Sequence, residues 1–184
     1  MGIVTNAKLQ AWYFLHDRQI FIQNMRMKYG TLKLEQSTWY KDCVKYYSNL
    51  NVEGKSVLDI GSDFGTSPMY FIKNGATMVI GVSFEDQYFK DGKYTHHKFT
   101  KDNVENFEIF DMAKRLLYHL DILKCDAEGF EWQLTPQFIE SFEDWVVSLH
   151  TPITNPELYE WIKKNGKLLG TEITEEFATY QKVK

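Results

Sequence analysis

The sequence predicts an α/β protein built on a Rossmann-type parallel sheet. A short apolar run, 57–60, is followed by a glycine-bearing loop, Gly61–Gly65, and by an apolar segment of helical character from Met69. That helix is predicted to stop at Gly75, and a second apolar run, 77–83, follows it. A third apolar run, 122–125, is followed directly by Asp126. Short apolar strands that alternate with helices are typical of a parallel sheet covered on both faces. Such sheets bind their ligands beyond the carboxyl ends of the strands.

Length and composition favour one globular domain with a terminal addition. The chain has 184 residues, of which 43% are hydrophobic and 16% aromatic, well above the content of disordered chains. A formal charge of -4 gives no general basic footprint for nucleic acid. No apolar run approaches the roughly 18 residues that cross a membrane. Cys43 and Cys125 have no metal or redox spacing, which indicates a reducing, cytoplasmic setting.

Residues 1–50 are predicted to form a helical extension that precedes a Rossmann-like domain at 51–184. Apolar residues recur at helical spacing over about 7–29 and again over about 35–49. The many aromatic side chains in these stretches are interpreted as core, because aromatics at helical spacing usually serve burial rather than substrate binding. A basic stripe on this extension would instead favour a nucleic-acid substrate, and its candidate residues are Arg18, Arg26, Lys28 and Lys33.

The loop after the first strand favours S-adenosylmethionine over a dinucleotide. Dinucleotide sites need a second glycine where this chain has Asp63, because the backbone must approach a pyrophosphate there. A carboxylate would repel that diphosphate, whereas S-adenosylmethionine carries a sulfonium, an ammonium and a ribose diol. A tight turn that binds nothing remains the structural alternative. The candidate cofactor residues in this loop are Asp59, Gly61, Ser62, Asp63 and Gly65.

Two further cofactor contacts are predicted beyond the second strand. Nucleoside-binding Rossmann folds place an acid near the end of that strand, where it hydrogen-bonds the ribose. Position 83 is serine, so Glu85 is the nearest candidate, with a solvated loop charge as the alternative. Asp102 is assigned to the adenine amino group. His96 and His97 are not predicted to share a metal ion, because adjacent strand residues point to opposite faces.

A second polar cluster is predicted at the same edge of the sheet. Asp126 and Glu128 follow the strand 122–125, and His150 directly follows the strand predicted over 142–149. Asn155 and Pro156 then predict a helix start. That helix is expected to stop at residue 166, and two antiparallel strands are expected at 167–170 and 177–183. Another helix is expected over 104–120.

Two stretches resemble a known family. Leu123–Glu131 reads LKCDAEGFE and resembles the LKIDVEGFE signature of the FkbM family of S-adenosylmethionine-dependent methyltransferases. Asp59–Gly65 reads DIGSDFG and is similar to that family's DVGANIG. The resemblance runs over about 52–170, and residues 1–50 have no counterpart in it. It implies a class I methyltransferase sheet of seven strands, mostly parallel, with an antiparallel last strand.

The resemblance also implies the chemistry. The cofactor would be S-adenosylmethionine, and the reaction methyl transfer to a hydroxyl of a sugar or another small molecule. Asp126, Glu128 and His150 would serve the acceptor. Alternatively, Asp126 would contact the cofactor, or would join Glu128 on a divalent ion. The alternatives are a protein or nucleic-acid methyltransferase that docks through the N-terminal helices, and a cofactor-binding module without turnover. A dehydrogenase ranks last because of Asp63.

Overall fold

A seven-stranded sheet with the strand order 3-2-1-4-5-7-6 forms the centre of the protein. The computed structural model describes residues 33–62, 64–83, 89–98, 120–171 and 177–183. Strands β1 to β5 run parallel, and β7 is antiparallel to both of its neighbours, β5 and β6. This confirms the mostly parallel sheet with an antiparallel last strand. The strands are β1 Ser56–Ile60, β2 Met78–Ser83, β3 Tyr94–Lys98, β4 Ile122–Cys125, β5 Asp144–His150, β6 Gly166–Thr171 and β7 Phe177–Lys182.

The described helices begin and end where local chemistry directs. They are α1 Thr38–Tyr47, α2 Thr66–Lys73, α3 Pro136–Glu140 and α4 Pro156–Asn165, with 3-10 turns at Leu34–Gln36 and Phe130–Gln133. The side chain of Asn155 accepts a bond of 3.0 Å from the amide of Leu158 and so caps α4, as predicted. Gly75 has a φ of +95° just after α2, which confirms it as the stop of that helix.

The helices cover both faces of the sheet. One face carries Val57 and Val79, which pack with side chains of α1 and α2, among them Tyr47 and Phe71. The opposite face packs against α3, α4 and Trp132. Tyr46 and Tyr47 of α1 are each 5% exposed, so the aromatic residues at these two positions are core, as the helical spacing indicates. The helix α1 therefore packs on the Rossmann sheet.

The remaining expectations differ from the structure in detail. β5 starts two residues later than predicted and includes His150. The α4 helix ends at Asn165, and β6 begins at once with Gly166. Most of the helix predicted over 104–120 and the whole helix predicted over 7–29 lie outside the described residues. Within the described ranges, no helix is both long enough and apolar enough to cross a membrane.

Both cysteines are buried, which leads to a first prediction. Cys43 is 4% exposed and Cys125 is 1% exposed, and burial raises the pKa of the Cys125 thiol well above its ordinary value. The thiolate is the reactive form, and both cysteine residues are buried. We therefore expect a thiol reagent such as Ellman's reagent to modify neither cysteine in the native protein and both after denaturation. Rapid native modification of either residue would contradict this burial.

Candidate functional site

The loops after β1 and β4 meet at the point where the strand order reverses. The amide of Asp126 donates to the Ile60 carbonyl at 3.0 Å, and the amide of Gly61 donates to the Val82 carbonyl at 2.7 Å. Gly61 has a φ of +78°, and a Cβ at this position would lie 1.7 Å from the carbonyl oxygen of Asp126. Only glycine permits this approach. The glycine loop and the Asp126 turn are thus one packed unit at the position where open α/β sheets bind ligands.

Asp59 lies below this loop in a closed environment. Its side chain is fully buried, forms an ion pair of 2.9 Å with Lys124, and accepts a bond of 2.6 Å from the Ser67 hydroxyl. Burial raises the pKa of the Asp59 carboxyl, and the ammonium of Lys124 and the bond from Ser67 oppose that rise. In the structure, the described contacts of Asp59 therefore support the loop from beneath, and its predicted contact with a cofactor stays a prediction.

Lys124 connects that ion pair to the glycine loop. It is 2% exposed, and its ammonium also donates to the carbonyls of Ile60 and Gly61. The Tyr47 ring of α1 lies 5.9 Å from the same nitrogen. Sequence reasoning missed this residue. A lysine in the middle of the apolar strand 122–125 was the available signal, because a buried lysine requires a partner.

Other residues of the loop are buried. Ser62 and Thr66 are 0% and 1% exposed, and Gly65 takes a φ of +95° at the start of α2. The Thr66 hydroxyl has no hydrogen-bond partner within the described part of the chain. A buried hydroxyl in that state is uncommon. The expected contacts of Ser62 and Gly65 with a cofactor stay predictions.

Three predicted cofactor residues, Asp63, Glu85 and Asp102, lie outside the described residues. Ser83, at the position where an acid was expected, is 5% exposed, and its hydroxyl lies 3.2 Å from His96 Nε2. Across the described ranges, no group of three or more histidine, cysteine or acidic side chains is arranged to hold a metal.

Asp126 is held from two sides. Its side chain is 36% exposed, the Tyr47 hydroxyl of α1 donates to its Oδ2 at 3.2 Å, and His150 Nε2 lies 3.5 Å from its Oδ1. The structure therefore brings together Asp126 and His150, as predicted from the strand ends. It adds Tyr47, which no motif indicated, because the contact joins residues 79 positions apart.

Glu131 fixes His150 from the interior. The Glu131 side chain is fully buried, and its Oε1 accepts from the backbone amide of His150 at 2.7 Å and lies 2.9 Å from His150 Nδ1. Its Oε2 accepts from the Gly129 amide at 2.8 Å. The indole of Trp132 donates to the His150 carbonyl at 2.8 Å. Glu131 ends the LKCDAEGFE stretch and was not predicted as a site residue; its place in that stretch was the only signal.

The carboxylates around His150 change its acid-base behaviour. Burial of the ring lowers the pKa of His150, but the hydrogen bond to Glu131 and the charges of Asp126, Glu131 and Glu128 together outweigh it and raise the pKa. Glu128 is exposed and has a φ of +45° in the turn. Its described contribution is thus a charge near the ring. The site offers a partly exposed base beside a carboxylate, next to the glycine loop.

Known structures with this strand arrangement include methyltransferases. A candidate methyltransferase in complex with S-adenosylhomocysteine superposes with a TM-score of 0.55 and 13% identity, over 83% of this chain and 50% of that one. A candidate S-adenosylmethionine-dependent methyltransferase from Streptococcus mutans superposes with a TM-score of 0.53 and 14% identity, also over 83% of this chain and 50% of that one. The chain has the class I methyltransferase fold. The ribosomal protein L11 methylase of Lactobacillus delbrueckii subsp. bulgaricus superposes with a TM-score of 0.50 and 12% identity, over 74% of this chain and 73% of that one.

Sequence relatives come from viruses of Sulfolobus. The chain is 29% identical over 142 residues to protein 158B of Sulfolobus islandicus rod-shaped virus 1, across 76% of this chain and 85% of that protein. It is 26% identical over 137 residues to protein 65 of Sulfolobus islandicus filamentous virus, across 71% and 76%. Both relatives are uncharacterised. No family model matches the chain, so the FkbM resemblance rests on the two stretches quoted above.

Proposed function

We propose that the protein is an S-adenosylmethionine-dependent methyltransferase that methylates a hydroxyl of a sugar or another small molecule. The observation that carries the proposal is the packing of the Gly61 loop directly against the Asp126 turn. This packing brings the glycine loop, which we propose binds the cofactor, next to the Asp126 turn at the switch point of the sheet, and so supports the proposal. The fold shared with the S-adenosylhomocysteine complex supports the choice of cofactor.

The residues divide into two groups by position. Gly61, Ser62 and Gly65 would hold the cofactor, with Asp59 and Lys124 supporting the loop from below. The bound cofactor supplies an electrophilic methyl group on a sulfonium. Asp126 and His150 lie on the acceptor side, where they would orient a hydroxyl and receive its proton. Positioning of the acceptor oxygen against the methyl carbon accounts for much of the catalysis expected in such a site.

Several features support a small hydroxyl acceptor. The FkbM resemblance favours hydroxyl methylation, and a histidine base is useful for an oxygen nucleophile that must lose a proton. The formal charge of -4 provides no general attraction for nucleic acid.

Isothermal titration with S-adenosylhomocysteine, followed by transfer of a labelled methyl group to a panel of sugars and small alcohols, tests the function. We expect saturable binding of the cofactor product and transfer to at least one hydroxyl. Absence of binding by the folded protein would refute the proposed function. Binding without transfer to hydroxyl, protein or RNA acceptors would instead identify a cofactor-binding module.

Substitution of Asp126 by asparagine should reduce turnover by about 100-fold or more, because it removes the charge that orients the acceptor and stabilises the protonated His150. The amide oxygen can still accept from Tyr47, so we expect the melting temperature to stay close to that of the wild type. Glu140→Gln, on the exposed end of α3, serves as the control. Full turnover of Asp126→Asn would remove Asp126 from the acceptor site.

A further inference from the structure

Among the described residues, the Glu131 carboxylate is a fully buried and fully hydrogen-bonded acid of the candidate site. It lies at 0% exposure and receives two backbone amides, from Gly129 and His150, in addition to the imidazole. Both of its oxygens accept hydrogen bonds from N–H donors, Oε1 from His150 and Oε2 from Gly129. It lies deeper than Asp126, whose side chain is 36% exposed.

The geometry decides which nitrogen of His150 carries the proton when the ring is neutral. Nδ1 lies 2.9 Å from Glu131 Oε1, within hydrogen-bond distance, whereas Nε2 lies 3.5 Å from Asp126 Oδ1. A proton on Nδ1 gains a charge-assisted bond to a buried carboxylate, which is about twice as strong as a neutral one. The opposite tautomer would leave the Nδ1 lone pair against that carboxylate. The neutral ring therefore presents the Nε2 lone pair on the side of Asp126.

We propose that Glu131 is a positioning residue that locks His150 in the Nδ1–H tautomer, so that Nε2 acts as the general base toward an acceptor hydroxyl. This inference rests on the proposed function for its substrate and deepens it. The site is then specific for an acceptor that must lose a proton, which favours a hydroxyl over an amine that is already a free nucleophile.

The step balances within the site. The acceptor O–H proton moves to Nε2 of His150 while the acceptor oxygen forms a bond to the methyl carbon. The carbon–sulfur bond breaks, its electron pair stays on sulfur, and the neutral thioether product leaves. The imidazolium that results lies between the carboxylates of Glu131 and Asp126, which stabilise it. No oxidant, reductant or metal is needed for this balance.

A pH dependence follows from the same arrangement. Of the described groups, those that act on the ring are the carboxylates of Glu131, Asp126 and Glu128, and they raise the pKa of His150 against the opposing effect of burial. The buried Cys125 thiol borders Glu131, and the Tyr47 phenol bonds Asp126. Because only the neutral ring is a base, turnover should rise with pH through the raised pKa and then level off.

The test compares Glu131→Leu with Glu128→Gln. Leucine at position 131 has a similar volume but no acceptor for His150 Nδ1–H, so the tautomer lock is lost. Glu128→Gln removes a nearby charge and leaves the lock intact. Long-range proton–nitrogen NMR correlations, assigned with a His150→Gln reference, report the tautomer without any cofactor. Turnover against pH and titration of S-adenosylhomocysteine complete the measurement.

Above the pKa of His150, we expect the wild type to have a protonated Nδ1 and an unprotonated Nε2. Glu128→Gln should show the same tautomer, with a lower midpoint for the titration of His150. Glu131→Leu should lose that tautomer preference and lower turnover by about 100-fold or more, with cofactor affinity within about threefold of wild type. A predominant Nε2–H tautomer in the wild type overturns the inference, as does a Glu131→Leu variant with an unchanged tautomer and pH profile. Failure of the wild type to bind S-adenosylhomocysteine would refute the proposed function alone, because the NMR result does not depend on it. If Glu131→Leu fails to fold, the wild-type tautomer still decides the inference.

Discussion

Lys124→Met is expected to lower the free energy of unfolding by about 3–5 kcal/mol, the loss typical of a buried ion pair that loses one partner. The substitution leaves the fully buried Asp59 with the Ser67 hydroxyl as its described partner. It also removes the donor to the carbonyls of Ile60 and Gly61. Chemical denaturation monitored by circular dichroism measures the change. The exposed Lys55, which pairs with Glu143, offers a matched control.

Lys55→Met should change stability little, because solvent screens an exposed pair. The deficit of Lys124→Met should also depend on pH. Burial raises the pKa of Asp59, and removal of the opposing ammonium raises it further. A carboxyl whose pKa is higher in the folded state binds its proton more tightly there. The free energy of unfolding therefore falls as the pH rises from the pKa of the unfolded chain, about 4, through the pKa of the folded protein. The loss in free energy of unfolding caused by Lys124→Met should therefore be smaller near pH 4 than at pH 7.

A double variant separates the ion pair from packing. Replacing Asp59 by leucine together with Lys124→Met removes both charges, and such replacements are often neutral or stabilising. We expect the double variant to recover much of the loss of the single one. Equal destabilisation in the two variants, or wild-type stability of Lys124→Met, would contradict a buried pair between these residues.

The parallel part of the sheet was predictable because its signals are local. The apolar run 57–60, the turn at Gly61 and the stop at Gly75 each act within a few residues, and the structure confirms all three. The two antiparallel strands at the end were also predictable, because Gly166 ends a helical pattern and two short strand patterns follow it. Asp126 and His150 meet as expected, since both end neighbouring parallel strands.

The groups that support these side chains were not predictable. Glu131 contacts His150 from 19 positions away, and Tyr47 contacts Asp126 from 79 positions away. Composition and spacing can show that a lysine or glutamate falls in an apolar stretch, but they do not identify its partner. The register Asp59↔Lys124 between β1 and β4 supplies that information for the ion pair. Second contacts of this kind depend on the packed fold rather than on any single segment.

Gly61→Ala is expected to abolish detectable binding of S-adenosylhomocysteine. The added Cβ would lie 1.7 Å from the carbonyl oxygen of Asp126 and 2.6 Å from its carbonyl carbon. Backbone atoms cannot rotate away as a flexible side chain can, so the glycine loop and the Asp126 turn must separate. That separation moves the loop that would hold the cofactor away from the acceptor side. Isothermal titration measures the loss, and circular dichroism shows whether the variant remains folded.

Gly54→Ala is the matched control because it isolates the clash from backbone strain. Gly54 has a φ of +73°, close to the +78° of Gly61, but a Cβ there would meet nothing within 4 Å. Alanine at such a φ costs about 1–2 kcal/mol, a loss that both variants share. A further loss of about 1–3 kcal/mol from overpacking applies at Gly61 alone. If both variants bind the cofactor product equally well, the contact between the two loops does not shape the cofactor site. If only Gly61→Ala fails to bind, the contact between the loops that follow β1 and β4 also positions the cofactor next to the acceptor. The fold and the chemistry would then both depend on glycine at position 61.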